Sequence, residues 1–218
     1  MHSKKIAAAA VVMALLVCVI AYAFKGVPFR AAAGQADVDA LPVKTIQASF
    51  VCDPYNVREL VGMVDYVFVG EVTGRDETLY KNVVLMEDEN GELKEVGAPY
   101  TPYTIQVRSN IKGNLRTDTP IPVLKHGGVT QDQAAIFLYE DDLLPREGQS
   151  YIFLAFAQSD GSLLVSGPNS NLPLENASQA VSSGGDDAPS PLYDSYVDAY
   201  ENEVIPINRE RFHSTYEG

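Results

Sequence analysis

Through the middle of this chain, apolar and polar positions alternate in runs of roughly four to eight residues broken by Gly, Pro, Asn and Asp, which is how short β-strands read. The first regular element is different. Val57, Leu60, Val61 and Val64 recur at helical spacing, with Asn56 placed as N-cap and Glu59 three residues on to complete a capping box. A helix is therefore predicted over Val57–Val64, and Asp65 breaks it. Tyr66 to Val72 follows, apolar on both faces at its start, and predicts a central strand. Val83–Met86 and Leu93–Val96 flank Asp88-Glu89-Asn90-Gly91, a turn sequence whose Asn and Gly tolerate positive φ. This charged hairpin is predicted to project from the body of the domain.

Tyr103 to Arg108 alternates cleanly, with Tyr103, Ile105 and Val107 on the buried face. Ile121–Leu124 is a further strand, which Pro122 demotes towards an edge, and Gly127-Gly128 ends it. Ile136–Tyr139 adds another. Leu143 to Gly148 reads as a turn delivering Tyr151–Ala157, apolar on both faces and hence central, with Ser162–Ser166 returning as its hairpin partner through Asp160-Gly161. Asn176 to Pro191 is rich in Ser, Gly, Asp and Ala and reads as a flexible linker. Beyond it, Ser190 is placed to cap a helix with Pro191 at its first position. Leu192, Tyr193, Tyr196, Val197, Tyr200 and Val204 form a stripe at helical spacing, and Pro206 ends it. Docking of this stripe on the domain's own surface is expected; the alternative is a partner-binding helix.

The N-terminus follows neither periodicity. Ile6 to Phe24 are nineteen uncharged residues behind Lys4 and Lys5. That is about the length needed to cross a bilayer, with the basic side held in the cytoplasm. The run is expected to remain as a membrane anchor with the C-terminus outside the cytoplasm. A cleaved signal and secretion are the alternative, because Ala21-Tyr22-Ala23 has the form of a cleavage site. Lipid attachment at Cys18 is disfavoured by Val17 before it. The organisation expected is a signal or anchor over 1–25, a tether over 26–50 and a domain over 51–174. A linker over 175–190 and a helix with a polar tail over 191–218 complete it. The fold class is mainly β: a small antiparallel β-barrel with a short helix before its first strand.

Charge narrows the partners. The formal net charge is −13; without residues 1–23, Lys and Arg fall from 16 to 14 while all 29 acids remain, a formal −15. Nucleic acid and anionic lipid surfaces need clustered Lys and Arg, so neither is expected. Glu87-Asp88-Glu89, Glu140-Asp141-Asp142 and Asp186-Asp187 supply carboxylates but show no calcium-loop spacing. Cys52 is the one cysteine beyond Cys18, which excludes a disulfide scaffold for the exported part. It reads as a small buried hydrophobe, since no base can be nominated to activate it.

No nucleophile elbow, P-loop, dinucleotide fingerprint or His-Glu-x-x-His occurs, and no internal repeat. His126 and His213 do not make a metal pair. Asn176-Ala177-Ser178 matches a glycosylation sequon, a match common by chance. The only enzymatic reading is His126 as an exposed loop base working with Asp132 or Glu140. A solvated histidine at a strand end is the plainer alternative. No catalytic, cofactor-binding or metal-binding set is nominated.

The order of motifs carries a resemblance. Val64-Asp65-Tyr66-Val67-Phe68-Val69-Gly70-Glu71-Val72 is followed by Ile111-Lys112-Gly113, Gly127-Gly128 and Leu144-Pro145-Arg146-Glu147-Gly148-Gln149-Ser150-Tyr151-Ile152-Phe153-Leu154. This resembles a group of uncharacterised exported bacterial proteins whose core is similar to the OB-fold-like barrel of the netrin and tissue-inhibitor-of-metalloproteinase type. The resemblance spans about Val57 to Gly167 and implies an OB-like barrel. Inhibitors of that type chelate zinc through a disulfide-held N-terminal cysteine, which is missing here, so inhibition does not carry over. The function expected is a non-catalytic binding or structural module at the cell surface. Its partner would be a protein or glycan of the cell envelope. A cell-envelope hydrolase and an inhibitor of an extracellular protease are the alternatives.

Overall fold

The computed structural model describes residues 38–87, 90–174 and 190–218. In chain order its elements are β1 (Val43–Ile46), α1 (Val57–Met63), β2 (Tyr66–Arg75), β3 (Leu79–Glu87), β4 (Leu93–Lys112) and β5 (Ile121–His126). They continue with β6 (Gly128–Val129), β7 (Ile136–Tyr139), β8 (Ser150–Ala157), β9 (Leu163–Val165), β10 (Asn171–Leu174) and α2 (Pro191–Glu201). The anchor reading of Ile6–Phe24, the linker at 175–189, Asp88, Glu89 and the sequon all lie outside the described residues. Among the described residues no helix is long and apolar enough to cross a membrane.

β2, β4, β5, β9 and β8 close a five-stranded barrel, each hydrogen-bonded to the next and β8 returning to β2. Alternation places Tyr66, Phe68 and Val72 of β2 inside with Tyr103, Ile105 and Val107 of β4 and Tyr151 and Phe153 of β8. Gly70 shares that inward face. A Cβ there would stand 2.4 Å from Ile105 Cγ2, so the barrel closes only over a glycine.

The outward residues of β2 and β8 are covered as well, which explains why both strands read as apolar on two faces. Val67, Val69, Ile152 and Leu154 pack beneath Val61 of α1 and Tyr196 and Ala199 of α2. α1 begins where its cap predicts: Asn56 Oδ1 accepts the amides of Arg58 (3.2 Å) and Glu59 (3.4 Å). Glu59 answers by accepting from Asn56 Nδ2 and from the Asp53 amide, both at 3.0 Å.

Its other end has no basic residue of its own, yet its carbonyls are met by cations from distant segments. Lys112 Nζ donates to Val61 O (2.7 Å), Arg211 to Gly62 O (2.5 Å) and Val64 O (2.9 Å), and Arg209 Nε to Met63 O (3.1 Å). Gly113, beside Lys112, turns the chain at φ +85° against the Tyr66 ring, where a Cβ would lie 2.4 Å from Cδ1.

The barrel is mainly antiparallel, as expected, with one parallel pair, β5 and β9; β1 and β7, in a separate sheet, also run parallel. Several expectations need correction. β5 is part of the ring, although the β9 ladder covers only Leu124 and Lys125 and so leaves Pro122 outside it. The tether assigned to 26–50 includes β1, which is hydrogen-bonded along β7, and Val38, which packs with Ile136 and Leu138. Four exposed side chains gave that strand no alternation to read. The Asn90-Gly91 turn is part of a longer connection, since Glu87 pairs with Leu93.

α2 stops at Glu201 rather than Pro206, because the chain is drawn away to α1: the Val204 amide donates to Arg58 O (3.1 Å) and Lys112 holds Glu203. Ser190 stands at its N-cap without a side-chain cap bond. The polar tail that follows this helix is docked on the barrel and α1. Asp65 receives Arg209 (2.6 Å) and Arg211 (3.1 Å) on one oxygen and the Ala157 amide (3.0 Å) on the other. Tyr66 Oη donates to Glu217 (2.5 Å) and accepts from the Ser214 amide (2.8 Å), while Phe212 and Tyr216 pack against the barrel core.

Candidate functional site

His126 is not an exposed loop base. It ends β5, is buried, stacks on Tyr139 (4.7 Å between centroids) and meets the edge of Tyr100 (5.0 Å). Burial, with Lys125 beside it, lowers its pKa, so the ring is held neutral. Among the described residues Nδ1 has no hydrogen-bond partner. Asp132 turns its carboxylate to Thr130 Oγ1 (2.5 Å) and the Ala134 amide (3.1 Å) within its own loop. No hydrogen bond joins His126 to Asp132 or Glu140 among the described residues, and the arrangement offers no relay for proton transfer.

The acidic run Glu140-Asp141-Asp142 is split by the fold. Asp141 accepts from Tyr55 Oη (2.6 Å), whereas Asp142 turns inward to Lys125 Nζ at 2.5 Å, both side chains 1% exposed. Desolvation lowers the lysine's pKa and raises the aspartate's, so burial works against the charges that their attraction holds. Ser170 Oγ (3.1 Å from Nζ) and the Leu143 amide (2.8 Å to Asp142 Oδ1) complete the shell. Sequence reading missed this pair because Lys125 looks like any strand lysine. Its place in the inward register with Ile121 and Val123 was the available signal. Among the described residues, no three side chains converge as a metal site.

A cleft of about 370 Å³ lies on the outside of the barrel. One wall is Leu60, Met63 and Val64 around α1; the floor is Leu154, Phe156 and Leu164; the opposite wall is the segment 48–54 with Phe50 and Cys52. That segment is pinned in place. Phe50 meets Tyr139 edge-on at 5.5 Å, Asn169 Nδ2 donates to Pro54 O (2.9 Å), and Tyr55 holds Asp141. Among the described residues, no charged side chain lines the cleft. Cys52 is a free thiol whose pKa is raised by burial and by Glu59 and Asp53, which suits it to lining and not to nucleophilic attack.

The hairpin of β3 and the first half of β4 is tied at its base, where Tyr80 Oη donates to Val129 O (2.9 Å) and the Gly97 amide to Gln131 (3.1 Å), and beyond that, among the described residues, β3 pairs with β4 alone. Cross-strand register places Leu85 and Glu87 on one face with Glu95 and Leu93, and Val84 and Met86 on the other with Val96 and Lys94. Leu85 is 64% exposed and Leu93 67%. Val84, Met86 and Val96 on the other face are exposed too, and among the described residues no strand pairs with the outer edge of β3. Two further residues, Asn82 at φ +53° and Val83, bulge opposite Gly97 at the ribbon's base.

Compared with known proteins, the chain matches no family model and no curated sequence.

Proposed function

We propose that this chain is a non-catalytic, extracytoplasmic binding module, held at the membrane through residues 6–24. Its binding element is the β3–β4 ribbon, and its partner is an envelope protein that adds an apolar strand flanked by Lys or Arg. The observation that carries this reading is the contrast in cover. The inward residues of the barrel strands and the faces of α1 and α2 packed on β2 and β8 are buried, while Val84, Leu85, Met86, Leu93 and Val96 are exposed on a ribbon whose outer edge pairs with no strand among the described residues. Such an edge is a template for strand addition. Glu87 and Glu95 beside Leu85 and Leu93 give the partner's charge its sign. The ring order supports the OB-like resemblance: counted along the chain it runs first, second, third, fifth, fourth, with third and fifth parallel. Such barrels serve many activities, so the surface and not the fold argues the function.

A photo-reactive residue placed at Leu85, or at exposed Thr104 on the barrel wall as control, tests the ribbon in intact envelopes. The expected result is one protein adduct from Leu85, absent from Thr104 and lost when Glu87 and Glu95 are both replaced by Lys. Equal adducts at the two positions, none at either, or adducts only with a second copy would each overturn it. N-terminal sequencing of protein from washed membranes and from medium tests the anchor, and a chain starting at Phe24 in the medium would defeat it.

A further inference from the structure

Independently of the ribbon, we infer that the cleft between α1, the outer face of β8 and β9, and the 48–54 segment binds an uncharged single-chain amphiphile, an alkyl chain with a hydroxyl or ester head. Its lining chooses the chemistry. Charged residues make up 21% of the chain, yet among the described residues none lines this cleft, so a carboxylate or ammonium ligand would enter without a counter-ion. Leu154, Phe156 and Met63 offer apolar walls, and Ser49 lines the cleft together with Ser166 and Tyr139, whose hydroxyls are bonded to each other and can share that bond with a neutral head. A volume near 370 Å³ lies at the small end of the roughly 300–1,000 Å³ range of small-molecule pockets, which suits a single chain. The 48–54 wall of the cleft is preformed by the Phe50–Tyr139 and Tyr55–Asp141 contacts, so little ordering is left for binding to supply. Its floor is the back of the barrel, which lends rigidity.

The test uses the full chain in nanodiscs of a zwitterionic lipid, with a ten-carbon alcohol carrying a terminal diazirine and the matching carboxylate as probes. Labelling by the alcohol is expected on peptides containing Met63 and Leu154–Phe156, competed by decanol. The carboxylate should label at least tenfold less. Across unlabelled alcohols, competition should strengthen about fourfold per added methylene and level off once the chain outgrows the cleft. Met63→Trp and Leu60→Trp, each filling the cleft, should cut labelling at least tenfold in whichever variant keeps the parental melting temperature. Alkylation of Cys52 by N-ethylmaleimide, read by peptide mass, should slow in saturating decanol. Labelling confined to residues 6–24, equal labelling by alcohol and carboxylate, competition that rises without a plateau, or an unchanged Cys52 rate would each overturn the site.

Discussion

β4 is one continuous strand living in two environments. Its C-terminal half carries Tyr103, Ile105 and Val107 at no more than 2% exposed, while Leu93 and Val96 at its other end are 67% and 41% exposed. Both halves are hydrogen-bonded and both carry β-prone side chains. The difference is in neighbours: the barrel half lies between β2 and β5 and under a packed interior, whereas among the described residues the ribbon half is paired with no strand but β3. Pairing makes a strand; a second layer makes it a source of stability, and a two-stranded ribbon alone is marginal. The ribbon's apolar residues therefore contribute little to the fold, which leaves them available for a partner.

The largest effect expected on the barrel side is Phe153→Asp. Phe153 is 1% exposed and stacked on Phe68 at 5.4 Å between centroids. Losing such a ring costs about 3–5 kcal/mol and an unpaired buried charge adds to it, enough to consume a total of about 5–15 kcal/mol. Circular dichroism should show no cooperative melt, and a parental transition would mean that β8 faces the other way.

Next comes Lys125→Met, which strands Asp142 without its cation and should cost about 3–5 kcal/mol in urea unfolding. Adding Asp142→Leu should recover most of the loss, because two apolar groups leave nothing to desolvate. A double variant as unstable as the single would show that the pair does more than neutralise itself.

Alkali should act on the barrel's cover at a smaller scale. Burial raises Tyr66 and Tyr196 each to about 12, against an ordinary value of 10.0. The fold thus holds protons that the unfolded chain has already released. The corresponding stability is whole below pH 10 and is lost as pH rises towards 12, by about 1–2 kcal/mol for each tyrosine. Tyr196→Phe should flatten that decline in denaturant midpoints measured across the window; an unchanged slope would remove Tyr196 from it.

The smallest effect belongs to the ribbon. Leu85→Ser and Leu93→Ser should change stability by no more than about 0.5 kcal/mol, as for other solvent-facing positions. A loss above about 2 kcal/mol in the isolated chain would show that the ribbon packs on something and would collapse the contrast within β4.

The sites divide in the same way. The projecting hairpin was legible because its turn sequence and its charges are local. The cleft was not, since its walls come from segment 48–54, α1, β7 and the β8–β9 hairpin, which only closure of the barrel brings together. His126 was misread as exposed because Gly127-Gly128 suggests a loop, whereas Tyr100 and Tyr139 enclose the ring from two other strands.

By itself the amino-acid order determined the capped start of α1, the positions of the barrel strands and the standing of the ribbon. Alternation, caps and turn residues act within a few positions and need no distant partner. Tertiary structure decided how the ring closes, through the parallel β5–β9 ladder, and what the buried charges do. Asp65 looks like a helix breaker in sequence and becomes the anchor of Arg209 and Arg211, 144 and 146 residues away. A charged side chain in sequence is most simply a solvated one. Whether it instead fastens a fold depends on which remote backbone excludes water around it, and that is settled only when the chain has closed.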